Sequence, residues 1–240
     1  MDRKLALVVL SGGQDSTTCL ALAIQKYASR NVRAITFDYG QRHRVEIDAA
    51  RHIARIADVG HEVVSVGSIL AGTSPLVNPS AEVESYGSVD VLPGGLEKTF
   101  VPMRNQLFLT IAANRAAVWA MAEGVDTVEV WTGVSQEDYG GYPDCREDFI
   151  LLLERAIRQS LNDPGLPRIE IEAPLMHLSK LMTVKLSEVT PYARYLLGFS
   201  HTCYNGQVPP CGKCHACLLR ERGYKQAGVT DPLLERLASL

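Results

Sequence analysis

Leu5-Ala-Leu-Val-Val-Leu10, followed at once by Ser11-Gly12-Gly13-Gln14-Asp15-Ser16, decides the fold of this chain. The apolar run has the length of one buried strand. It ends in a small-residue turn, and Asp15 to Ala28 then carries Leu20, Ala23, Ile24 and Tyr27 on one helical face. A strand passing through such a turn directly into a helix is a phosphate cradle in outline. Glycines allow positive φ and close backbone approach, so several N–H groups can aim at one anion. The helix N-terminus adds its positive dipole end. No Gly-Lys-Ser/Thr follows, so this is not the usual P-loop. A Ser-Gly-Gly turn alone has a plain structural reading, and the rest of the chain has to decide between the two.

Outward from this stretch the pattern repeats. Val32 to Phe37, His61 to Val66, Thr127 to Thr132 and Ile169 to Ala173 read as further strands. Arg44 to Ala57, Asn105 to Ala122, Glu147 to Leu161 and Ser179 to Val189 read as helices, with Ser179 an N-cap and the Asn105 helix apolar almost all round, hence buried. A short last helix is entered through Thr230-Asp231-Pro232, where proline suits the first helical position. Strands alternating with helices predict right-handed βαβ units, so the fold class is α/β, an open parallel five-stranded sheet with helices on both faces. Gly67 to Thr99 breaks the pattern and reads as a lid, a binding loop or a disordered insert. In such a sheet ligands bind beyond the carboxyl ends of the strands. The loops Ser11–Ser16, Asp38–Arg44 and Gly133–Arg146 therefore share one rim.

At 240 residues the chain fits a nucleotide-binding α/β domain over 1–195 and a small C-terminal segment over 196–240 packed on it. Its 46% hydrophobic and 21% charged residues are those of an ordinary soluble protein. A net charge of −3 offers no basic footprint for nucleic acid, and the apolar runs are too short to span a bilayer. Met1-Asp2-Arg3-Lys4 leads into the first strand without a signal-peptide cleavage pattern, and a cytoplasmic location is expected.

Cys203, Cys211, Cys214 and Cys217 have the spacing C-x7-C-x2-C-x2-C, with Gly206, Pro209, Pro210 and Gly212 supplying turns. Four clustered thiolates suit tetrahedral Zn2+ in a closed structural site, although C-x2-C-x2-C also resembles one style of iron–sulfur ligation. A closed site offers no open position for catalysis, so its job is to fix the C-terminal segment, including Arg220. Cys19 reads as packing. Cys145 lies on the active rim, but no base is evident beside it.

Leu10-Ser-Gly-Gly-Gln-Asp-Ser-Thr-Thr-Cys19-Leu20, Phe37-Asp-Tyr-Gly-Gln-Arg-His43, Phe100-Val-Pro-Met-Arg-Asn105, Gly141-Tyr-Pro-Asp-Cys-Arg146 and Thr202-Cys-Tyr-Asn-Gly206 with the trailing cysteines together resemble the 7-cyano-7-deazaguanine (preQ0) synthase family of the queuosine pathway. The first block alone is shared by many ATP enzymes that release pyrophosphate; the combination is far more specific and covers about residues 5 to 225. The resemblance implies an adenine-nucleotide α-hydrolase-like fold, a homodimer, ATP with Mg2+ at its phosphates, and structural Zn2+. It implies conversion of 7-carboxy-7-deazaguanine and ammonia to the nitrile through an adenylated carboxylate and an amide. A related enzyme that stops at the amide, or joins the activated deazaguanine to another amine such as a protein terminus, would keep the same motifs.

Carried over, Leu10, Ser11, Gly12, Gly13, Gln14, Asp15, Ser16, Thr17, Thr18, Cys19 and Leu20 form the ATP loop, with Ser11, Asp15, Ser16 and Arg104 as the catalytic set. Asp15 can hold Mg2+, orient the loop or stabilise the helix start. Arg42 and Arg104 are candidate partners for the substrate carboxylate or phosphates. Asp144 is a candidate acceptor for the guanine-like N–H edge, Tyr142 a stacking platform, and Arg220 completes the substrate contacts. Lys180 is placed to reach phosphate or solvent. His43, His52, His61, His177 and His201 have no visible partner. His215 lies inside the cysteine cluster, whose shell is already complete, and reads as a surface residue or one supporting the ligands. Asp90 and Glu97 read as solvating the long loop. Two positions depart from the family pattern: Met103 stands where glycine is expected, and His177 where an aromatic is expected.

Overall fold

A computed structural model describes residues 3–72, 74–92, 96–136 and 142–239. The readings made above for Met1, Asp2, Gly141 and positions 137–140 of the second rim loop lie outside the described residues. The strands are β1 (Leu5–Val9), β2 (Val32–Asp38), β3 (Gly60–Ser65), β4 (Thr127–Trp131) and β5 (Arg168–Glu172). They form one parallel sheet in the order β3-β2-β1-β4-β5. The helices are α1 (Gln14–Tyr27), α2 (Val45–Ile56), α3 (Arg104–Glu123), α4 (Glu147–Ser160), α5 (Lys180–Val189), α6 (Ala193–Leu197), α7 (His215–Ala227) and α8 (Pro232–Ala238).

The alternation of β1 divides the core in two. Leu5 and Leu7 face one layer with Ile35, Phe37 and helices α3 and α4, through Leu109, Ala116, Ile150 and Leu153. Ala6, Val8 and Leu10 face the other, with α1, α2 and α6, through Leu20, Ile53 and Leu196. Each fully buried leucine or isoleucine contributes about 1.5–3 kcal/mol relative to exposure. A charge at Val8 would enter the second layer unpaired.

The sheet is therefore the open, doubly covered one that the alternation predicts. Strand order reverses between β1 and β4, which makes the crevice above those two strands the topological switch point. That is where the first turn and the start of α1 lie. Among the described residues, no helix is long and apolar enough to cross a membrane.

Three expectations change. Helix α3 is not buried all round: its alanines at 112, 113, 116 and 120 face the core, while Val118 and Met121 are exposed. Small residues let this helix lie close to the sheet, and scattered apolar side chains on the outer face are ordinary. The cysteine segment is more than turns, because Cys217 is already inside α7. The division expected after residue 195 falls within α6, which packs in the second core layer with β1 and α1.

Candidate active site

Gly13 is the N-cap of α1 and provides no side-chain cap, so the first-turn N–H groups of the helix face the crevice. The turn before it is held by its own hydroxyls. Ser11 N–H donates to Ser16 Oγ at 3.1 Å, Gly13 N–H to Ser11 Oγ at 3.2 Å, and Thr17 Oγ1 to the Gly13 carbonyl at 2.7 Å. Gly12 has φ +88°, and a Cβ there would lie 2.2 Å from the Glu46 carbonyl in the first turn of α2. Only glycine lets α2 and this turn touch. Gly133, leaving β4, crosses the start of α1 as closely: a Cβ would lie 2.8 Å from Ser16 N.

The crevice is a cavity of about 310 Å³. Leu10, Ser11, Gly13, Gln14, Asp15 and Ser16 form its floor with Thr132 and Gly133. Lys180, the first residue of α5, reaches in from the side, and its Nζ lies 2.6 Å from Asp15 Oδ2. Asp15 Oδ1 is buried with no hydrogen-bond partner among the described residues. An unfilled carboxylate oxygen beside a phosphate cradle has the chemistry of a Mg2+ ligand. Within the ATP-loop set, Thr17, Thr18, Cys19 and Leu20 are buried and lie outside the cavity lining. They hold the loop from beneath rather than touch its occupant.

Tyr39, His43, Glu97, Arg104, Asn105, Tyr142, Cys145, Tyr204 and His215 line the other half. Burial alone would weaken the Arg104 charge, but the Tyr39 phenol, Cys145, Tyr204 and Asp144 around it raise its pKa further. Burial, reinforced by Glu97, pushes the Tyr142 phenol up to about 12. Burial and the neighbouring Asp144 push the Cys145 thiol up to about 12, so at neutral pH it is not a thiolate nucleophile.

Three substrate contacts expected from charge alone are engaged elsewhere. The Arg42 guanidinium donates to the Pro79 and Ala81 carbonyls at 2.9 and 2.5 Å, fastening the long loop. Asp144 accepts from Asn105 N–H at the start of α3, 3.2 Å away. Arg220 is buried against Asp231, at 2.6 and 2.8 Å, and donates to Ser200 Oγ at 2.9 Å. None of the three lines the cavity. Charge type in a sequence does not separate a side chain that lines the cavity from one held outside it.

Conversely, Glu97 and His215 were not expected at the site. Glu97 is 8% exposed and its Oε1 lies 2.8 Å from His215 Nε2. The long loop is bound down here: Tyr86 N–H donates to the Lys213 carbonyl at 2.9 Å, and Val83 packs on the cysteine cluster. Nothing in the loop's periodicity signals this. The proline and glycine spacing hides an ordered cover.

The four sulfurs of Cys203, Cys211, Cys214 and Cys217 lie within 4.8 Å of one another. Backbone N–H groups of Cys211 and Cys214 point at Cys203 and Cys211 sulfurs, each at 3.4 Å. A closed set of thiol ligands with N–H donors around it fits a metal ion. The knuckle also builds the site: His201 N–H donates to the Gly12 carbonyl at 2.7 Å, and Thr202 and Tyr204 line the cavity. Met103 sits at φ +64° immediately before Arg104. That left-handed conformation is the physical reason glycine is expected there. His177 is on the surface, 3.2 Å from Glu147 Oε1.

Residues 5–228 match the model of the queuosine biosynthesis protein QueC family. A 7-cyano-7-deazaguanine synthase of Laribacter hongkongensis is 49% identical over 240 residues, covering 100% of this chain and 98% of that one. A protein of the same name from Chromobacterium violaceum is 49% identical, covering 96% of this chain and 93% of the other. One from Gloeobacter violaceus is 47% identical, covering 96% and 95%.

Proposed function

This chain belongs to the QueC family of queuosine biosynthesis enzymes, and we propose that its crevice adenylates the carboxylate of 7-carboxy-7-deazaguanine and delivers it, through the amide, to the nitrile. The observation that carries this reading is the pairing of an uncapped α1 N-terminus with Asp15–Lys180 on one side of the cavity and half-buried Arg104 on the other.

The chemistry needs both halves. A carboxylate resists ammonia because it is anionic and its oxygen leaves poorly. A carboxylate oxygen attacks the α-phosphorus of ATP, and pyrophosphate departs. Ammonia adds at the acyl carbon and AMP leaves, giving the amide and a proton. The amide oxygen attacks the α-phosphorus of a second ATP, a second pyrophosphate departs, and loss of AMP and two protons leaves the nitrile. Arg104 orients the carboxylate. The N–H groups at Gln14 to Ser16, the hydroxyls of Ser11 and Ser16, and Lys180 receive the charge that develops on the departing pyrophosphate. Asp15 Oδ1 would hold Mg2+, which would supply positive charge to offset that charge.

Cys203, Cys211, Cys214 and Cys217 would hold Zn2+, which fixes the wall formed by Thr202, Tyr204 and His215. The same reading takes ammonia as the acceptor amine, places the chain in the cytoplasm, where four free thiols stay reduced, and takes it as a homodimer. The test is mass spectrometry of a reaction containing 7-carboxy-7-deazaguanine, ATP, Mg2+ and ammonia. The nitrile is expected; amide as the final product, or no product, overturns the reading.

A further inference from the structure

Glu97 stands apart from the other carboxylates of the cavity. Asp15 is bound to Lys180 at the phosphate end, and Glu46 Oε2 lies 3.2 Å from His43 Nε2 beside the first turn of α2. Glu97 comes from the long loop and sits at the opposite end, where its charge and that of Arg104 both act on the phenols of Tyr142 and Tyr204.

Its hydrogen bonds have only one consistent direction. Tyr142 O–H lies 2.8 Å from Thr99 Oγ1, and Thr99 Oγ1 donates to Glu97 Oε2 at 2.9 Å. Thr99 has a single hydroxyl proton and gives it to Glu97, so Tyr142 donates to Thr99. The second oxygen faces His215 Nε2. Among the described residues each oxygen has one protein partner, a carboxylate oxygen can accept a second donor, and Glu97 lines the cavity.

We infer that Glu97 is the specificity residue for the deazaguanine, accepting the ring N–H and the exocyclic amine side by side while Arg104 holds the carboxylate at the other end of the same molecule. The inference rests on the adenylation reading above and deepens it. Two adjacent donors are the mark of a guanine-type edge; an adenine-type edge presents a donor beside an acceptor. One fixed carboxylate therefore admits the deazaguanine and rejects the adenine of ATP from this half of the cavity. Thr99 and His215 act as positioning residues, because they fix the plane of the carboxylate without meeting the base.

The test compares 7-carboxy-7-deazaguanine with its analogue lacking the exocyclic amine. For the wild-type enzyme, kcat/KM, read as AMP release, is expected to favour the amine-bearing substrate by about 10-fold or more, the discrimination typical of a paired polar contact. In Glu97→Gln this ratio is expected to fall below about 3, with KM for ATP little changed. Glu97→Asp, which withdraws the carboxylate, is read the same way if the glutamine variant does not accumulate. A Glu97 that only pinned the loop would lower activity toward both substrates and leave the ratio intact, which overturns the inference. So does a wild-type enzyme with no preference. Absence of AMP release with either substrate overturns the adenylation reading itself.

Discussion

Gly133→Ala is the sharpest perturbation of the phosphate end. The backbone there is not in a left-handed conformation, so alanine carries no intrinsic strain. Its Cβ would lie 2.8 Å from Ser16 N, 2.9 Å from Asp15 C and 3.2 Å from Asp15 Cβ. Ordinary contact begins near 3.4 Å, so the start of α1 has to retreat by about half an ångström. The atoms that move are those that would meet the pyrophosphate. Misplacement by about 1 Å can cost 100-fold, so a loss of about 10- to 100-fold in kcat/KM for ATP is expected. Overpacking costs about 1–3 kcal/mol in stability. Melting curves and substrate-dependent pyrophosphate release, followed side by side, separate the two effects. Gly87→Ala, in open space outside the cavity lining and with no left-handed backbone, controls for the added methyl. Pyrophosphate release within about 3-fold of wild type would refute the claim that the β4 loop positions the cradle.

Other outcomes follow from the same geometry. Lys180→Met removes the buried cation beside Asp15; kcat is expected to fall about 100- to 1,000-fold, as for a lost charge-stabilising donor, in single-turnover assays. Met103→Gly relieves left-handed strain of about 1–2 kcal/mol against a glycine entropy cost of about 0.5–1 kcal/mol. It is expected to melt a few degrees higher than Met103→Ala, which keeps the strain. At Glu129, buried in β4, burial raises the pKa, but bonds from Tyr27, Lys26 and Trp131 outweigh it and the net shift is downward. Its stabilisation is therefore fully present above the unfolded-state pKa and is lost as pH falls through the lower folded value. Urea titrations should show Glu129→Gln destabilising by about 1–3 kcal/mol at pH 7, a difference that shrinks in acid.

The scaffold was legible because its signals are local. Leu5 to Leu10 alternates between two core layers, Ser179 accepts from Met182 N–H as an N-cap, and the four cysteines meet as their spacing requires. The site was legible only where backbone geometry dictates residue type, as at Gly12, Gly13 and Asp15. Arg42, Asp144 and Arg220 carry the right charge types, but their partners are fixed by long-range packing that leaves no mark in sequence. Glu97 is the converse. It lies in a segment without periodicity, and its burial depends on Thr99 beside it and on His215, carried in by the cysteine knuckle. Helices α6 and α7 escaped notice because glycine, proline and cysteine punctuate the segment around them.

The central claim is that the carboxylate oxygens leave on AMP. Removing both to form a nitrile requires two adenylations, one at the acid and one at the amide. The direct measurement is a reaction with 7-carboxy-7-deazaguanine bearing 18O at both carboxylate positions, with AMP and nitrile quantified by mass spectrometry. Two AMP for each nitrile, each carrying one 18O, is the predicted result. Unlabelled AMP, with the label in phosphate or water, would contradict it.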